Sequence, residues 1–465
     1  MARKLATEDR FVEYVARLGE VVGHADRREP LRAYMAGLLL PGERKSVEPM
    51  AAKVDPRNVE SRHQSMHHFV ADAPWDARDV IRVARDWALE QFDRHGPIEA
   101  WIIDDTGIPK KGKHSVGVAR QYCGVLGKQD NCQVAVSISV ANEVLSVPVT
   151  YRLYLPEIWA EDKARRRVAR IPDEIVFRKK WQIALDEIDR LLADGVARAP
   201  VVMDAGYGTT TELRDELVAR DLVYMAGVQS EVTVWPEGEM PAAPKAYSGR
   251  GRPPTLLRRS PDAQPVSIID LALRLPKSAW RSIRWRSGTK GDMRSRFARV
   301  RVRAAHRDYW RKEPRPEEWL LVEWPTGETA PTKYWLSNVS ATASITDLVH
   351  LAKIRWRIER DYQELKDEIG IDHYEGRGWT GFHHHGALCI AAYAFLAAER
   401  ARLSPPALSP SSKPLQYPEV SSRGEVPLRP ERHNPASITS LRRLIARILA
   451  RHLVCCHACG ATRGY

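Results

Sequence analysis

Six cysteines in 465 residues are too few for a disulfide framework, and three of them crowd together at Cys455, Cys456 and Cys459. No apolar run reaches bilayer length. The longest, Gly386 to Ala398, is uncharged but well short of the roughly 20 residues a spanning helix needs, so it reads as a buried helix. The opening stretch Met1 to Arg10 has no apolar core of the kind a signal peptide carries. No Walker loop, dinucleotide fingerprint or internal repeat is present, which sets aside nucleotide-driven chemistry and solenoid folds. An apolar fraction of 43% with 14 Trp excludes wholesale disorder. The class that remains is a basic, multidomain protein, expected in the cytoplasm. At about 100–200 residues per domain, the length predicts several domains.

The charge is unevenly distributed. The chain has 72 Lys+Arg against 59 Asp+Glu, a net charge of +13. Residues 245–312 alone hold 19 Lys/Arg against four Asp, a local net of +15, so the remainder sums to about −2. A strongly basic segment on a near-neutral chain points to a polyanionic partner, with nucleic acid first. A second basic stretch follows Arg402, where Arg442, Arg443, Arg447 and Arg451 recur at helical spacing.

Apolar residues at helical spacing mark 9–40 and 75–95, with a polar stretch from Ser46 to Ala73 between them. Residues 1–95 are therefore expected to form an all-α module, either a DNA-binding one or a plain helical cap. A buried strand follows at Ala100 to Thr106, then two strands at 132–140 and 145–154 joined as a hairpin at Asn142. A helix over 179–193, a short strand ending at Asp204, a helix over 210–220 and a strand from Leu222 complete the first part of an α/β core, 96–229. Residues 230–340 are Pro/Gly-rich, hold half of the Trp, and read as a basic β-rich insertion. Helical periodicity returns over 341–402. A Pro/Ser-rich linker over 403–440 and a basic tail over 441–465 end the chain. Three strands, a helix, then strand–helix–strand is the order of a ribonuclease-H-like fold.

Three acidic positions stand out from the surface background. Asp104 and Asp105 interrupt an apolar strand, where alternation turns one of the two inward. Asp204 ends the second buried strand just before Gly206. Glu359 lies in the late helix, on a face shared at helical spacing with Arg355, Tyr362 and Lys366. Carboxylates from two strand ends and a helix can together hold two divalent cations, which activate water or a 3′ hydroxyl and stabilise the leaving oxygen in phosphoryl transfer. Neighbouring Arg and Lys would hold the anionic substrate. Taken singly, Asp204 is also an ordinary turn former and Glu359 an ordinary surface partner of Arg355.

These strings resemble the bacterial insertion-sequence DDE transposases, in particular the group with a Y-x2-R-x3-E-x6-K signature and a β insertion before the catalytic Glu. The chain reads Ala352-x2-Arg355-x3-Glu359-x6-Lys366, with Ala where the signature has Tyr. The strings Ile-Asp-Asp-Thr-Gly and Met-Asp-Ala-Gly-Tyr-Gly resemble the family's first and second Asp motifs. The resemblance implies Asp105, Asp204 and Glu359 as catalytic metal ligands for Mg²⁺, with Mn²⁺ able to substitute. Asp104, Arg355 and Lys366 would support them. It implies metal-dependent cut-and-paste transposition: end cleavage by hydrolysis, with or without a hairpin intermediate, then strand transfer by the 3′ hydroxyl. Its partners would be double-stranded DNA with terminal inverted repeats, target DNA and a second copy of the chain, in a bacterial, nucleoid-associated setting. Two other outcomes are a transposase-derived DNA-binding protein that no longer cuts and a structure-selective nuclease without strand transfer.

Several residues are candidates for touching DNA. Arg250 and Arg252 lie in a Gly-Arg-Gly-Arg-Pro-Pro string suited to a narrow minor groove, or to a plain basic linker. Arg281, Arg284 and Arg286 alternate with Trp280 and Trp285, and Trp310 follows. In relatives that form hairpins, an aromatic of the insertion stacks on a flipped base; Trp335 and its neighbour Tyr334 hold that position. Lys110 and Lys111 follow the first Asp motif. The cysteine group with His452 and His457 is half of a zinc site, so zinc is not expected. His383, His384 and His385 read as surface or helix-start residues.

Overall fold

A computed structural model of the chain describes residues 7–261, 264–288, 291–403 and 437–451. The cysteine group and nearly all of the expected linker lie outside them. In chain order the helical start contains α1 (Thr7–Val21), α2 (Arg28–Leu39), α3 (Val47–Val54), α4 (Val59–Ala71) and α5 (Ala77–His95). Then come β1 (Ala100–Pro109), β2 (Ala119–Cys123), β3 (Lys128–Ala141), β4 (Ser146–Leu153), α6 (Glu157–Ala160), α7 (Lys163–Ala169), α8 (Lys180–Ala193), β5 (Val201–Met203), α9 (Ala205–Gly208), α10 (Thr211–Ala219) and β6 (Tyr224–Val228). The basic region supplies β7 (Thr233–Trp235), β8 (Val266–Ser267), α11 (Ile268–Arg274), β9 (Arg281–Gly288), β10 (Gly291–Ala304), β11 (Glu318–Trp324) and β12 (Lys333–Ser337). The chain returns to helix with α12 (Ile345–Lys353), α13 (Trp356–Glu364), α14 (Trp379–Leu403) and α15 (Ile438–Ala450). The fold is mixed α/β. Among the described residues no helix is long and apolar enough to cross a membrane.

The chain divides into two compact units. One comprises the residues up to Pro97, Asp105–Arg178 and those from Glu359 onward; the other comprises Ile98–Asp104 and Lys179–Ile358. The chain therefore passes between the units four times, after Pro97, Asp104, Arg178 and Ile358.

In the first unit α14 is the central element. A helix apolar on every side has no solvent face to offer, so it is buried by helices around it. From Ala387 to Ala398 every residue of α14 is fully buried, with α5, α4 and α2 against it and β4 alongside. Phe11, Tyr14, Trp87 and Phe395 form one aromatic group there, and the Tyr14 hydroxyl donates to the Ala391 carbonyl at 2.8 Å. The expected hairpin is β3–β4: the Asn142 Oδ1 accepts from the amides of Val144 and Leu145, each at 2.9 Å, which shapes the turn. The strand pairing shifts by one residue between Ile138 and Ser139. The stretch from Ser46 to Ala73 is not simply a polar connection, because α3 and α4 form there. Each is short or buries few apolar residues, Met50 and Ala51 in α3 and Met66, Phe69 and Val70 in α4, so neither shows a strong period.

In the second unit a sheet runs β1–β5–β6–β12–β11–β10–β7–β8, with β9 also on β10. β1, β5 and β6 are parallel, in the register Ile103 to Met203 to Ala226. β12 lies antiparallel on β6 with Leu336 opposite Ala226, so the strands of the basic region continue the same sheet. Val228, Val234, Leu320, Val322, Leu336, Ile268 and Leu271 pack as its core.

The helical periodicity that returns after residue 341 is carried by several helices rather than one. α12 ends at Lys353, and Ile354 and Arg355 form a turn before α13. After Glu364 the backbone widens into a π-turn over Leu365–Ile369, ended by Gly370 at φ +80. The helix expected in the tail begins at Ile438, inside what reads as linker.

Candidate active site

In the second unit the parallel register brings Ile103 beside Met203. Asp104, midway along β1, and Asp204, just past the end of β5, are therefore the next residues on neighbouring strands. Asp204 caps the single turn α9: its Oδ1 accepts from the amides of Gly206 at 3.0 Å and Tyr207 at 3.2 Å. Only glycine fits where this turn meets β6. A Cβ on Gly208 would lie 2.1 Å from the Gly227 carbonyl oxygen, and one on Gly227 would lie 3.0 Å from the Ala205 nitrogen. The Asp-Ala-Gly-Tyr-Gly string thus presses a tight turn onto the sheet and sets the backbone that carries Asp204. Arg355, in the turn before α13, donates from Nη1 to Asp104 Oδ2 at 2.8 Å, with both side chains partly exposed. The arginine of the late motif and the first acidic pair are thereby joined.

In the first unit Asp105 is half-buried and Glu359 is exposed. Lys366 lies in the π-turn rather than one helical face away, and its Nζ donates to the Gly107 carbonyl at 3.1 Å, two residues beyond Asp105. Tyr362, expected on the Glu359 face, is buried. Lys110 donates to the Tyr374 carbonyl at 2.6 Å, and burial pulls its ammonium below the usual lysine range; Lys111 is exposed. Among the described residues no group of three or more His, Cys, Asp or Glu side chains is assembled closely enough to hold a metal ion.

Sequence reasoning missed a buried network on α13. Asp361 is 1% exposed and accepts from Ser139 Oγ at 3.0 Å, Ser146 Oγ at 2.6 Å and Tyr393 Oη at 2.9 Å. Burial pushes its carboxyl up to about 6, against these hydroxyls, which favour the charged form. Glu364 meets the same Tyr393 hydroxyl at 2.9 Å and pairs with Arg360 and Arg400. The signal was present: Ile358, Asp361, Tyr362 and Leu365 recur at the spacing of a buried helix face. Of the two readings of the α14 histidines, surface or helix-start, the surface one fails. They do lie near the helix start, but His384 and His385 are buried, and burial lowers all three to about 4.

Several cationic residues of the second unit lie over aromatic rings. Arg286 lies over Trp356 at 4.2 Å, Arg296 over Trp324 at 4.8 Å, and Arg299 and Arg301 over Trp319 at 4.5 and 4.8 Å. Arg281 and Arg284 are exposed on β9, and Arg284 pairs with Asp292. Arg250 and Arg252 are exposed on a loop whose Gly249 and Gly251 adopt φ +82 and +76. Tyr334 and Trp335 are 5% and 8% exposed in β12, between β6 and β11; the Tyr334 hydroxyl donates to the Pro331 carbonyl. Trp310, by contrast, is 61% exposed.

The chain belongs to the family described as DDE superfamily endonuclease, whose model matches residues 17–292, more than half of its length. The matched segment contains Asp104, Asp105 and Asp204 and stops short of Arg355, Glu359 and Lys366. The chain is also similar to a protein of Microchaete diplosiphon named as a probable transposase for insertion sequence element IS701. They are 32% identical over 173 residues, a match that covers 36% of this chain and 41% of that protein. Nucleases of the superfamily generally use divalent metals such as Mg²⁺.

Proposed function

We propose that the chain is the transposase of an insertion sequence, with a ribonuclease-H-like core in which Asp105, Asp204 and Glu359 are the metal-holding carboxylates. The observation that carries the reading is the ion pair between Arg355 and Asp104, because it ties the Arg-x3-Glu-x6-Lys string to the first acidic pair through a side-chain contact rather than a spacing. The donor set suits the ion: carboxylate oxygens are hard ligands, and Mg²⁺ ordinarily takes only one or two of them, leaving positions for water and substrate phosphate. The bound metal supplies activation of the attacking oxygen and neutralises charge on the phosphoryl group. Asp104 holds Arg355 in place, and Lys366, held at the Gly107 carbonyl, puts a cation two residues from Asp105; both cations act on phosphate. The basic strands and the Arg250–Arg252 loop bind the DNA ends, and two copies of the chain process two terminal inverted repeats together. End cleavage is followed by strand transfer to target DNA through the 3′ hydroxyl, with or without a hairpin.

The test is incubation with Mg²⁺ and a plasmid carrying the element between its terminal repeats. Excision and integration, lost in Asp204→Ala and Glu359→Ala, are expected. Binding without cleavage would instead make the chain a DNA-binding derivative, and cleavage without strand transfer would make it a nuclease.

A further inference from the structure

Asp361 follows Glu359 by two residues. At 3.6 residues per turn the two side chains point about 200° apart around α13. Glu359 is exposed while Asp361 is fully buried, so what grips Asp361 sets the direction in which Glu359 points. The grip comes from three separate elements of the same unit: Ser139 on β3, Ser146 on β4 and Tyr393 on α14. Both serines reach one oxygen, Oδ2, and the tyrosine reaches the other.

The two serines share a face only because the hairpin slips. On the turn side the register pairs Ser139 with Pro148 and Ala141 with Ser146; on the other side it pairs Ile138 with Thr150. Had the pairing of Ile138 continued unshifted, Ser139 and Ser146 would point to opposite faces of the hairpin. The Thr150 hydroxyl accepts the Ile138 amide at 2.9 Å, which satisfies a backbone donor at the irregularity. A strand bulge, two serines and a tyrosine thus converge on one carboxylate in the helix that carries Glu359. Burying a charge-bearing group in this way stabilises a fold only when all its partners are present, and it specifies one orientation of the helix against the hairpin.

We propose that Asp361 is a positioning residue, clamped by Ser139, Ser146 and Tyr393 so that α13 is held at one rotation and the Glu359 carboxylate is aimed for metal. The inference rests on the reading of Glu359 as a metal ligand. Groups that orient a ligand without touching the metal typically change affinity about 10–100-fold when removed.

The test is Mn²⁺ titration of the full chain followed by electron paramagnetic resonance of the free ion, alongside thermal melting, for Glu359→Gln, Asp361→Ala, Asp361→Asn, Tyr393→Phe and Ser146→Ala. The expected result is a weaker Mn²⁺ midpoint in Glu359→Gln. Asp361→Ala should be weakened by about tenfold or more, Tyr393→Phe and Ser146→Ala less, and Asp361→Asn should recover part of the loss because an amide can still engage the rotatable hydroxyls. If Glu359→Gln weakens Mn²⁺ binding while the folded variants at 361, 393 and 146 melt earlier but keep the parent midpoint, Asp361 is a packing residue and the proposal is overturned. If Glu359→Gln itself leaves the midpoint unchanged, the metal reading of Glu359 is what fails, and the clamp loses its object. Tyr393→Phe and Ser146→Ala keep the test decisive should the Asp361 variants not fold.

Discussion

The two units differ in how they use many of their polar side chains. Around α14, some ionisable groups are taken out of water and held by neutral partners: Asp361 by three hydroxyls, His385 between the Tyr34 hydroxyl and the Gly370 carbonyl. In the sheet of the second unit, arginines that are exposed or partly exposed lie over the rings of Trp319, Trp324 and Trp356. Buried polar groups fix one packing and are intolerant of change, whereas a cation held over a ring meets a polyanion with little side-chain entropy left to lose. The first arrangement suits an element that must not rotate. The second suits a surface that must bind many phosphates.

Acid should separate the two most strongly. His384 and His385 have ordinary values of 6.5 unfolded and about 4 folded, because burial disfavours the imidazolium. Their contribution is complete above pH 6.5 and is lost as pH falls toward 4, amounting to roughly 3 kcal/mol per ring. His384 should lose least, since both of its nitrogens face carbonyls, of Val70 and Trp75, and the charged ring could donate to both. Hydrogen exchange at pH 5 should therefore show the α14 amides opening before those of β11. Equal opening would erase the contrast between the units.

The contrast is one of degree, since the second unit also buries Glu318 against the Tyr224 hydroxyl and, in larger part, Lys353. Lys353 is paired with Glu323 at 2.6 Å and lies over Trp285 at 4.4 Å. Lys353→Met leaves the Glu323 charge buried without its cation and should cost about 3 kcal/mol in a denaturant titration, while Lys353→Met with Glu323→Leu recovers most of it. A smaller loss of about 1–3 kcal/mol is expected for Gly208→Ala, whose methyl collides with the Gly227 carbonyl, together with reduced cleavage from displacement of Asp204. The smallest effect on stability belongs to the exposed arginines. Arg250→Ala and Arg252→Ala should leave the melting temperature unchanged, weaken binding to duplex DNA and lower the salt slope by about one for each phosphate that is no longer neutralised. Unchanged binding would remove that loop from the DNA path.

How much was legible differs from element to element. The hairpin at Asn142, the strand before Asp204 and the apolar helix α14 could all be read locally, because each carries its own turn chemistry or period. α3 and α4 could not, since they bury only a few residues each and owe their stability to packing against α2 and α14 rather than to a strong amphipathic face. The histidines of α14 looked like surface groups because polar residues usually are, yet the carbonyls of Val70, Trp75 and Gly370 satisfy them inside. Tyr334 and Trp335 sat where a base-stacking aromatic was expected, but β12 joins β6 in the middle of the sheet and buries both.

By itself the sequence determined the acidic positions, the Arg-x3-Glu-x6-Lys string and the concentration of positive charge in 245–312, since these depend only on residue identity and spacing. Tertiary structure alone decided that Arg355 meets Asp104, that Lys366 turns to Gly107 through a π-turn, and that Asp361 is gripped from three elements. Each of these joins residues far apart in the chain, and a one-residue slip in a strand or an extra residue in a helical turn redirects every side chain beyond it. No local pattern records such a choice.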